Sequence, residues 1–356
     1  METMMTNVYE QEQTCLRMLN QFEQELHDFK NFIKSRKPKN WLILATGSSA
    51  NAIISAKYYI EKIAGVFIEI KEPFNFTHYE KVNDYTDFVL AVSQSGKSHS
   101  TIEALKKIQS SSEIPTAVLT SRLDSPITDY ADMVIDIGCG IEKVGFVTKG
   151  FTATMLKSML MGVIAGRKLH HINEKTTELE IKKFYEIVNR IPSIIKKTED
   201  FYKRHAQEIH SIPRFAAIGY GPAVGTAKEC ETKFTETIRV PTHGFELEAF
   251  MHGPYLEINE NYGLFFIQTE SILSKRAKKL KDYFSRYTDH CFTIECGNNE
   301  EEEKTLSLGT DIDELLCPLV MSIPFQILAY RIAAGRGIDL NTPIFHDFDQ
   351  FLKCKV

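Results

Sequence analysis

DFVLAVSQSGKS, Asp87 to Ser98, reads as a short buried strand that stops abruptly at a cluster of hydroxyls and a glycine. The run from Phe88 to Val92 is apolar throughout, as a strand inside a parallel sheet should be. SHSTIEALKKI follows, and its spacing predicts a helix with Ile102, Leu105 and Ile108 on one face. Where such a strand hands over to such a helix, backbone N–H groups and the positive helix end face one crevice. Ser93, Gln94, Ser95 and Ser98 add side-chain donors there, and Gly96 lets the backbone approach a ligand closely. An uncharged hydroxyl cradle suits a phosphate. The same residues would also make an ordinary polar turn with a good N-cap. A nucleotide P-loop is excluded by spacing, because G-x-x-x-x-G-K-[ST] needs glycine at position 91, where the chain has Ala91.

Working outward, WLILATGSSANA (Trp41 to Ala52) is a second junction, a strand running into Thr46, Gly47, Ser48 and Ser49 before the helical AIISAKYYIEKIAG. VFIEI (66–70), TAVLT (116–120) and MVIDIG (133–138) are further strands. Strands alternating with helical segments predict an α/β fold with a parallel, doubly wound sheet whose carboxyl-end loops share one rim. Residues 8–35 have helical spacing, with a stripe of Leu16, Leu19, Phe22, Leu26, Phe29 and Ile33 that ends at Lys37-Pro38. EKVGFVTKGFTATML (142–156) leads into a helical region that continues with breaks to about Arg204, and Lys149-Gly150 is placed to lean toward the rim. Within that region NEKTTELEIKKFYEIVNR reads as a solvated helix face.

At Arg214 the pattern restarts, with RFAAIGYGPAVGTAKECETKFTE as strand, glycine turn and helix. LFFIQ (264–268) and CFTIEC (291–296) are strands on either side of a helical ILSKRAKKLKDYFSRY, and GNNEEEEKT is an acidic surface loop. The second half therefore reads as a degenerate repeat of the first without the hydroxyl cradle. The expected organisation is an amino-terminal helix (1–36), a first domain (37–165), a helical linker (166–205), a second domain (206–340) and a carboxyl tail (341–356).

The length of 356 residues fits two domains, each able to bury a core. A net charge of -5 and a pI near 6.2 argue against a nucleic-acid surface, so any anion site must be local. The seven cysteines are scattered and never in CxxC spacing, which reads as reduced intracellular thiols without a disulfide frame or zinc site. The acidic amino terminus has no apolar core, so no signal peptide is expected. Leu315 to Gly335 has the length of a membrane span but carries Pro318, Pro324, Gln326 and Arg331, which favours a buried packing helix. A cytoplasmic protein with no nucleic-acid or membrane partner is expected.

Chemistry concentrates in ECETKFTETIRVPTHGFELEAFMHGP, Glu229 to Pro254. On a helix, Glu229, Lys233 and Glu236 fall at i, i+4 and i+7 and share a face. A proline and glycine turn beyond them allows the chain to double back, so that His252 can approach Glu236. A carboxylate and an imidazole beside a sugar-phosphate pocket are a usual pair for moving protons between adjacent carbons and opening a ring. Taken alone, the set is more often a surface ion-pair ladder plus a capping histidine.

ATGSSANA, AVSQSGKS, EKVGFVTKGFT, the Glu229–Lys233–Glu236 helix and EAFMHGP, in this order, resemble the tandem sugar isomerase (SIS) domains that form the isomerase half of glutamine–fructose-6-phosphate aminotransferase. The resemblance runs from about Trp41 to Pro343. It implies two SIS domains, each a flavodoxin-like parallel sheet flanked by helices. It also implies a sugar 6-phosphate held by Thr46, Ser48, Ser49, Ser93, Gln94, Ser95 and Ser98. Glu236 matches the acid–base that shuttles a proton between C1 and C2, Lys233 a pocket-lining lysine, and His252 the histidine that assists ring opening from the neighbouring subunit of a homodimer. No metal or cofactor is implied.

Two departures shape the expected activity. No cysteine follows Met1 and the first SIS element begins near residue 40, so no glutaminase domain is expected. The family aminotransferases also have an imine-forming lysine shortly after the region matching Asn341 to Pro343, where this chain reads IFHDFDQ with Phe348 at about that place. Lys353 and Lys355 come later and would need a shifted tail to substitute. SIS relatives of this kind cleave ketosamine 6-phosphates of the fructosyl-amino acid type to an aldose 6-phosphate and an amine, and that is the expected reaction. An aldose–ketose phosphosugar isomerase or an amino-sugar-phosphate deaminase would use the same residues. In another class, a phosphosugar sensor would need the cradle but not Glu236.

Overall fold

A computed structural model describes residues 2–297, 302–309 and 312–356 and divides them into two compact units. The first unit comprises Gln13–Lys143, Lys149–Lys182 and Thr342–Val356, and the second Met1–Glu12, Val144–Thr148 and Lys183–Asn341. Helices α1 (Met4–Glu25) and α2 (His27–Arg36) precede β1 (Asn40–Ala45), α3 (Gly47–Ala64), β2 (Phe67–Lys71), α4 (Pro73–Tyr79), β3 (Phe88–Val92), α5 (His99–Ser111), β4 (Thr116–Thr120) and β5 (Met133–Asp136). Next come α6 (Lys149–Lys168), α7 (Glu174–Val188) and α8 (Ile191–Ser211). The chain continues through β6 (Arg214–Gly219), α9 (Ala223–Thr237), β7 (Thr242–Glu246), α10 (Leu247–Phe250), β8 (Tyr262–Gln268) and α11 (Ser274–Phe284). It closes with β9 (Cys291–Glu295), β10 (Thr305–Ser307), α12 (Pro318–Gly335) and α13 (Phe348–Leu352).

The first unit is built on a five-stranded sheet of order β2-β1-β3-β4-β5, parallel throughout. Strands β3 and β4 are buried along their whole length, which explains their unbroken apolar reading. On one face Leu42, Leu44, Val89, Ala91 and Val118 pack against Phe76 and against Ile102, Leu105 and Ile108 of α5, the helix stripe expected from the spacing. At the amino ends of the strands Trp41 meets Phe29 and Phe88 edge to face, at 5.9 and 5.4 Å between ring centroids. Asp87 accepts hydrogen bonds there from the backbone N–H of Lys39 and Asn40, both at 2.8 Å.

The second unit repeats the plan. Its five-stranded parallel sheet has the order β10-β9-β8-β6-β7. Counted from β6, this is the same permutation as in the first sheet, so the degenerate repeat read from the sequence is a repeat of topology. Phe215, Phe234, Phe265 and Phe325 form a connected aromatic core between β6, β8, α9 and α12. Helix α12 has the length and apolarity of a membrane span, yet 78% of it is buried. It packs against α8 and α9.

Three expectations change in detail. The stripe over 8–35 belongs to two helices, because the chain leaves the helical region at Leu26 (φ -98°, ψ 21°) and stops at a left-handed Lys37 (φ 51°). The Lys- and Glu-rich tract forms α7, but not as a wholly solvated face: Thr177, Glu180, Phe184 and Ile187 are buried, and Glu180 accepts from the Tyr59 hydroxyl at 3.0 Å. The acidic loop expected over 297–305 falls partly outside the described residues.

Candidate functional site

The order β2-β1-β3 reverses direction between β1 and β3, and in open α/β sheets that switch point opens the ligand crevice at the strands' carboxyl ends. Ala45 and Val92 are register partners there. The loops that begin at Thr46 and Ser93 therefore leave the sheet side by side, on strands about 4.8 Å apart. Thr46 has an extended backbone (φ -136°, ψ 159°) and stands as N-cap of the 18-residue α3, with Ser48 and Ser49 in the first turn. Ser98 is likewise the N-cap of α5. Neither cap side chain accepts from a backbone N–H of its own helix.

Ser93 is buried, whereas Gln94, Ser95 and Ser98 are partly accessible. The β3 loop is tied down by its own backbone: Gly96 N–H donates to Ser93 O at 3.0 Å, Ser121 N–H to Gln94 O at 3.1 Å, and Ile127 N–H to Gly96 O at 3.2 Å. Gly96 takes φ +63°, and a Cβ there would fall 1.8 Å from Ser125 Oγ, so glycine is required on two counts. Thr101 Oγ1 donates to Ser98 Oγ at 3.0 Å.

The carboxyl tail adds a wall that the sequence did not announce. Ser98 and Lys355 form an antiparallel bridge. His99 N–H donates to Cys354 O and Val356 N–H to Lys97 O, each at 3.1 Å. The first N–H of α5 is thus taken by the tail, which leaves a smaller set of backbone donors than an open helix terminus offers. Lys355 Nζ pairs with Asp349 at 2.6 Å. The start of α6 also reaches this rim, where Glu142 accepts from Gln94 Nε2 at 2.6 Å and from Lys149 N–H at 2.9 Å. Glu142 lies in EKVGFVTKGFT, where an acidic side chain just before a helix start is the local signal of its position.

In the second unit the corresponding switch point is filled. Tyr220, buried after β6, donates its hydroxyl to Thr269 O and accepts from Thr269 N–H, both at 2.9 Å. Thr269 Oγ1 in turn donates to Glu314 at 2.9 Å. A buried phenol bridges the two strand ends and a carboxylate stands beside it, which opposes an anion and gives the missing second cradle a physical basis.

Glu229, Lys233 and Glu236 share one face of α9 as their spacing predicts. Lys233 is fully buried and its Nζ lies 3.5 Å from Glu229, itself 1% exposed, and 2.6 Å from Glu236, which is 40% exposed. Glu236 sits in the last turn of α9, so it does not face the carboxyl-end crevice of its own sheet. His252 is 75% exposed and lies 3.4 Å from Glu248. Arg276 donates to that carboxylate at 2.7 Å and holds it below the usual carboxylate range. No hydrogen bond or ion pair joins Glu236 to His252 among the described residues: strand β7 and helix α10 intervene where a simple doubling back was expected. Among the described residues no group of three or more His, Cys, Asp or Glu is arranged to hold a metal ion.

Residues 35–165 match the family model described as SIS domain. Over 85% of its length the chain is 25% identical to a glutamine–fructose-6-phosphate aminotransferase of Caulobacter vibrioides, of which the match covers 50%. The chain thus spans about half the length of the curated relatives it matches. Among solved structures, a protein of Clostridium difficile 630 provisionally described as a phosphosugar isomerase is 25% identical, with 99% of this chain and 98% of that one covered at a TM-score of 0.89. The C-terminal domain of glucosamine–fructose-6-phosphate aminotransferase from Francisella tularensis is 20% identical, with 96% and 97% covered at a TM-score of 0.86.

Proposed function

We propose that this chain, whose residues 35–165 match the SIS-domain model and whose fold is like that of a protein described as a phosphosugar isomerase, is an enzyme that binds a sugar 6-phosphate and cleaves a ketosamine 6-phosphate to an aldose 6-phosphate and a free amine. The phosphate is assigned to Thr46, Ser48, Ser49, Ser93, Ser95 and Ser98, and the sugar to the neighbouring Gln94. The paired loops after Ala45 and Val92 support that assignment.

Glu236 takes a proton from C1 of the ketosamine while the C2 carbonyl oxygen gains one, which gives an enaminol. Return of the proton to C2 leaves a C1 iminium, water adds at C1, and the C–N bond breaks with the nitrogen leaving as the amine. Lys233 fixes the Glu236 carboxylate and His252 assists opening of the sugar ring. We include in the proposal a homodimer across which His252 serves the neighbouring site, and its 75% exposure is compatible with that role. A cytoplasmic setting accords with seven free cysteines.

One observation carries the choice of reaction. By the family resemblance, Phe348 falls at about the place where the aminotransferases have their imine lysine, while Glu236 matches their acid–base. An enzyme of that description suits a sugar that already bears its amine. Aldose–ketose isomerisation employs the same C1–C2 proton transfer and is favoured by the name given to the C. difficile protein. Incubation with a panel of ketosamine 6-phosphates should release amine, and fructose 6-phosphate should not be isomerised at a comparable rate. Isomerisation without amine release would overturn the deglycase assignment and retain the phosphosugar enzyme. A sensor would turn over neither.

A further inference from the structure

Glu142 lies between β5 and α6, and both of its carboxylate oxygens are engaged at the edge of the cradle. Oε1 accepts from Lys149 N–H at 2.9 Å; Oε2 accepts from Gln94 Nε2 at 2.6 Å and from Gly150 N–H at 3.3 Å. At the first N–H groups of this 20-residue helix both oxygens of the carboxylate act as acceptors. Gly150 records the same contact from the other side. A Cβ there would fall 2.1 Å from Gln94 Nε2 and 2.7 Å from Glu142 Oε2, so the Gln94–Glu142 hydrogen bond runs where a side chain at 150 would otherwise sit.

The polarity of that bond has a consequence. An acceptor-only partner takes one of the two N–H bonds of the Gln94 carboxamide and holds the NH2 group toward Glu142, which turns the carbonyl oxygen to the opposite side, away from Glu142. A phosphate dianion has no proton to offer a carbonyl oxygen, whereas a sugar hydroxyl does. We infer that Glu142 is a positioning residue that holds Gln94 with its carbonyl oxygen presented to a hydroxyl of the sugar, so that Gln94 reads the sugar while the serine hydroxyls hold the phosphate. This inference rests on the phosphosugar reading of the site.

The test is calorimetric titration of the full chain with two probes, fructose 6-phosphate and inorganic phosphate, on wild type, Gln94→Ala, Glu142→Ala and the double variant. Each single change should weaken fructose 6-phosphate by roughly tenfold, the worth of one well-made hydrogen bond. The double variant should be no weaker than either single, because both changes remove one interaction. Affinity for inorganic phosphate should not move in any of them, an outcome that a general loosening of the loop would not produce. Equal weakening of both probes would put Gln94 on the phosphate and overturn the inference, as would additive losses or a Glu142→Ala chain that binds like wild type. In the ligand-free protein the Gln94 side-chain amide protons should be protected from exchange in wild type and lose that protection in Glu142→Ala. If wild type bound neither probe, the phosphosugar reading would fall, and the exchange measurement would still decide the Gln94–Glu142 clamp.

Discussion

Lys233, fully buried, places its ammonium 2.6 Å from Glu236, whose side chain is 40% exposed, and 3.5 Å from Glu229, which is 1% exposed. One cation therefore serves two carboxylates of different character. Glu229 is buried beside it, whereas Glu236 is oriented by it while remaining partly exposed.

That division predicts opposite phenotypes for the two partners. Lys233→Met removes the buried partner of Glu229 and Glu236 and should cost roughly 3–5 kcal/mol, read as a lower urea midpoint. Glu236→Gln should cost under about 1 kcal/mol, since the pair is partly exposed. It should keep sugar-phosphate affinity and abolish turnover. A Glu236→Gln chain that still turned over substrate would remove this residue from the proposed chemistry.

Gly96→Ala tests the cradle itself. The substitution forces a side chain onto φ +63° and against Ser125 Oγ, whose hydroxyl donates to Arg122 O at 2.5 Å. A loss of roughly 1–3 kcal/mol is expected, together with weaker fructose 6-phosphate binding. Thermal unfolding and calorimetry measure the two effects separately.

The thiols report on the tail. Cys354 is exposed and the other six cysteines are buried, and burial pushes Cys15 up to about 12 and Cys139 to about 11. A thiol reagent should therefore modify one site rapidly in the folded chain, and Cys354→Ser should abolish that phase. Because Cys354 O accepts from His99 N–H beside the cradle, saturating fructose 6-phosphate should slow the modification.

Acid should weaken the second unit through Glu208. Partial burial raises its carboxyl, but hydrogen bonds from His290 at 2.7 Å and Lys304 at 2.6 Å outweigh that and hold it below the ordinary 4.5. A carboxyl depressed in the folded chain contributes stability that is present above its unfolded value and lost as pH falls through the folded one. The thermal midpoint should thus decline below about pH 4.5, and Glu208→Gln should flatten that limb.

Much of the plan was legible because parallel α/β sheets write themselves in local pattern. TAVLT at 116–120 and the strand after Asp87 are buried on both faces and read as uninterrupted apolar runs. The i, i+4, i+7 spacing of Glu229, Lys233 and Glu236 likewise survives folding, since helical geometry converts spacing directly into a shared face. The role of Glu142 is not written in local pattern, for the opposite reason. Its partner Gln94 is 48 residues distant, and no local period encodes such a pairing.

The amino-acid order alone determined that strands alternate with helices, that hydroxyls cluster at two strand ends, and that the second half repeats the first without them. Those features arise from contacts between near neighbours in the chain. Tertiary structure alone decided which strand lies beside which, that Ala45 and Val92 share a register, that the tail caps the first N–H of α5, and that Tyr220 and Glu314 stop up the second crevice. Each of these joins groups far apart in the chain, through hydrogen bonds and packing that exist only once the sheets have formed.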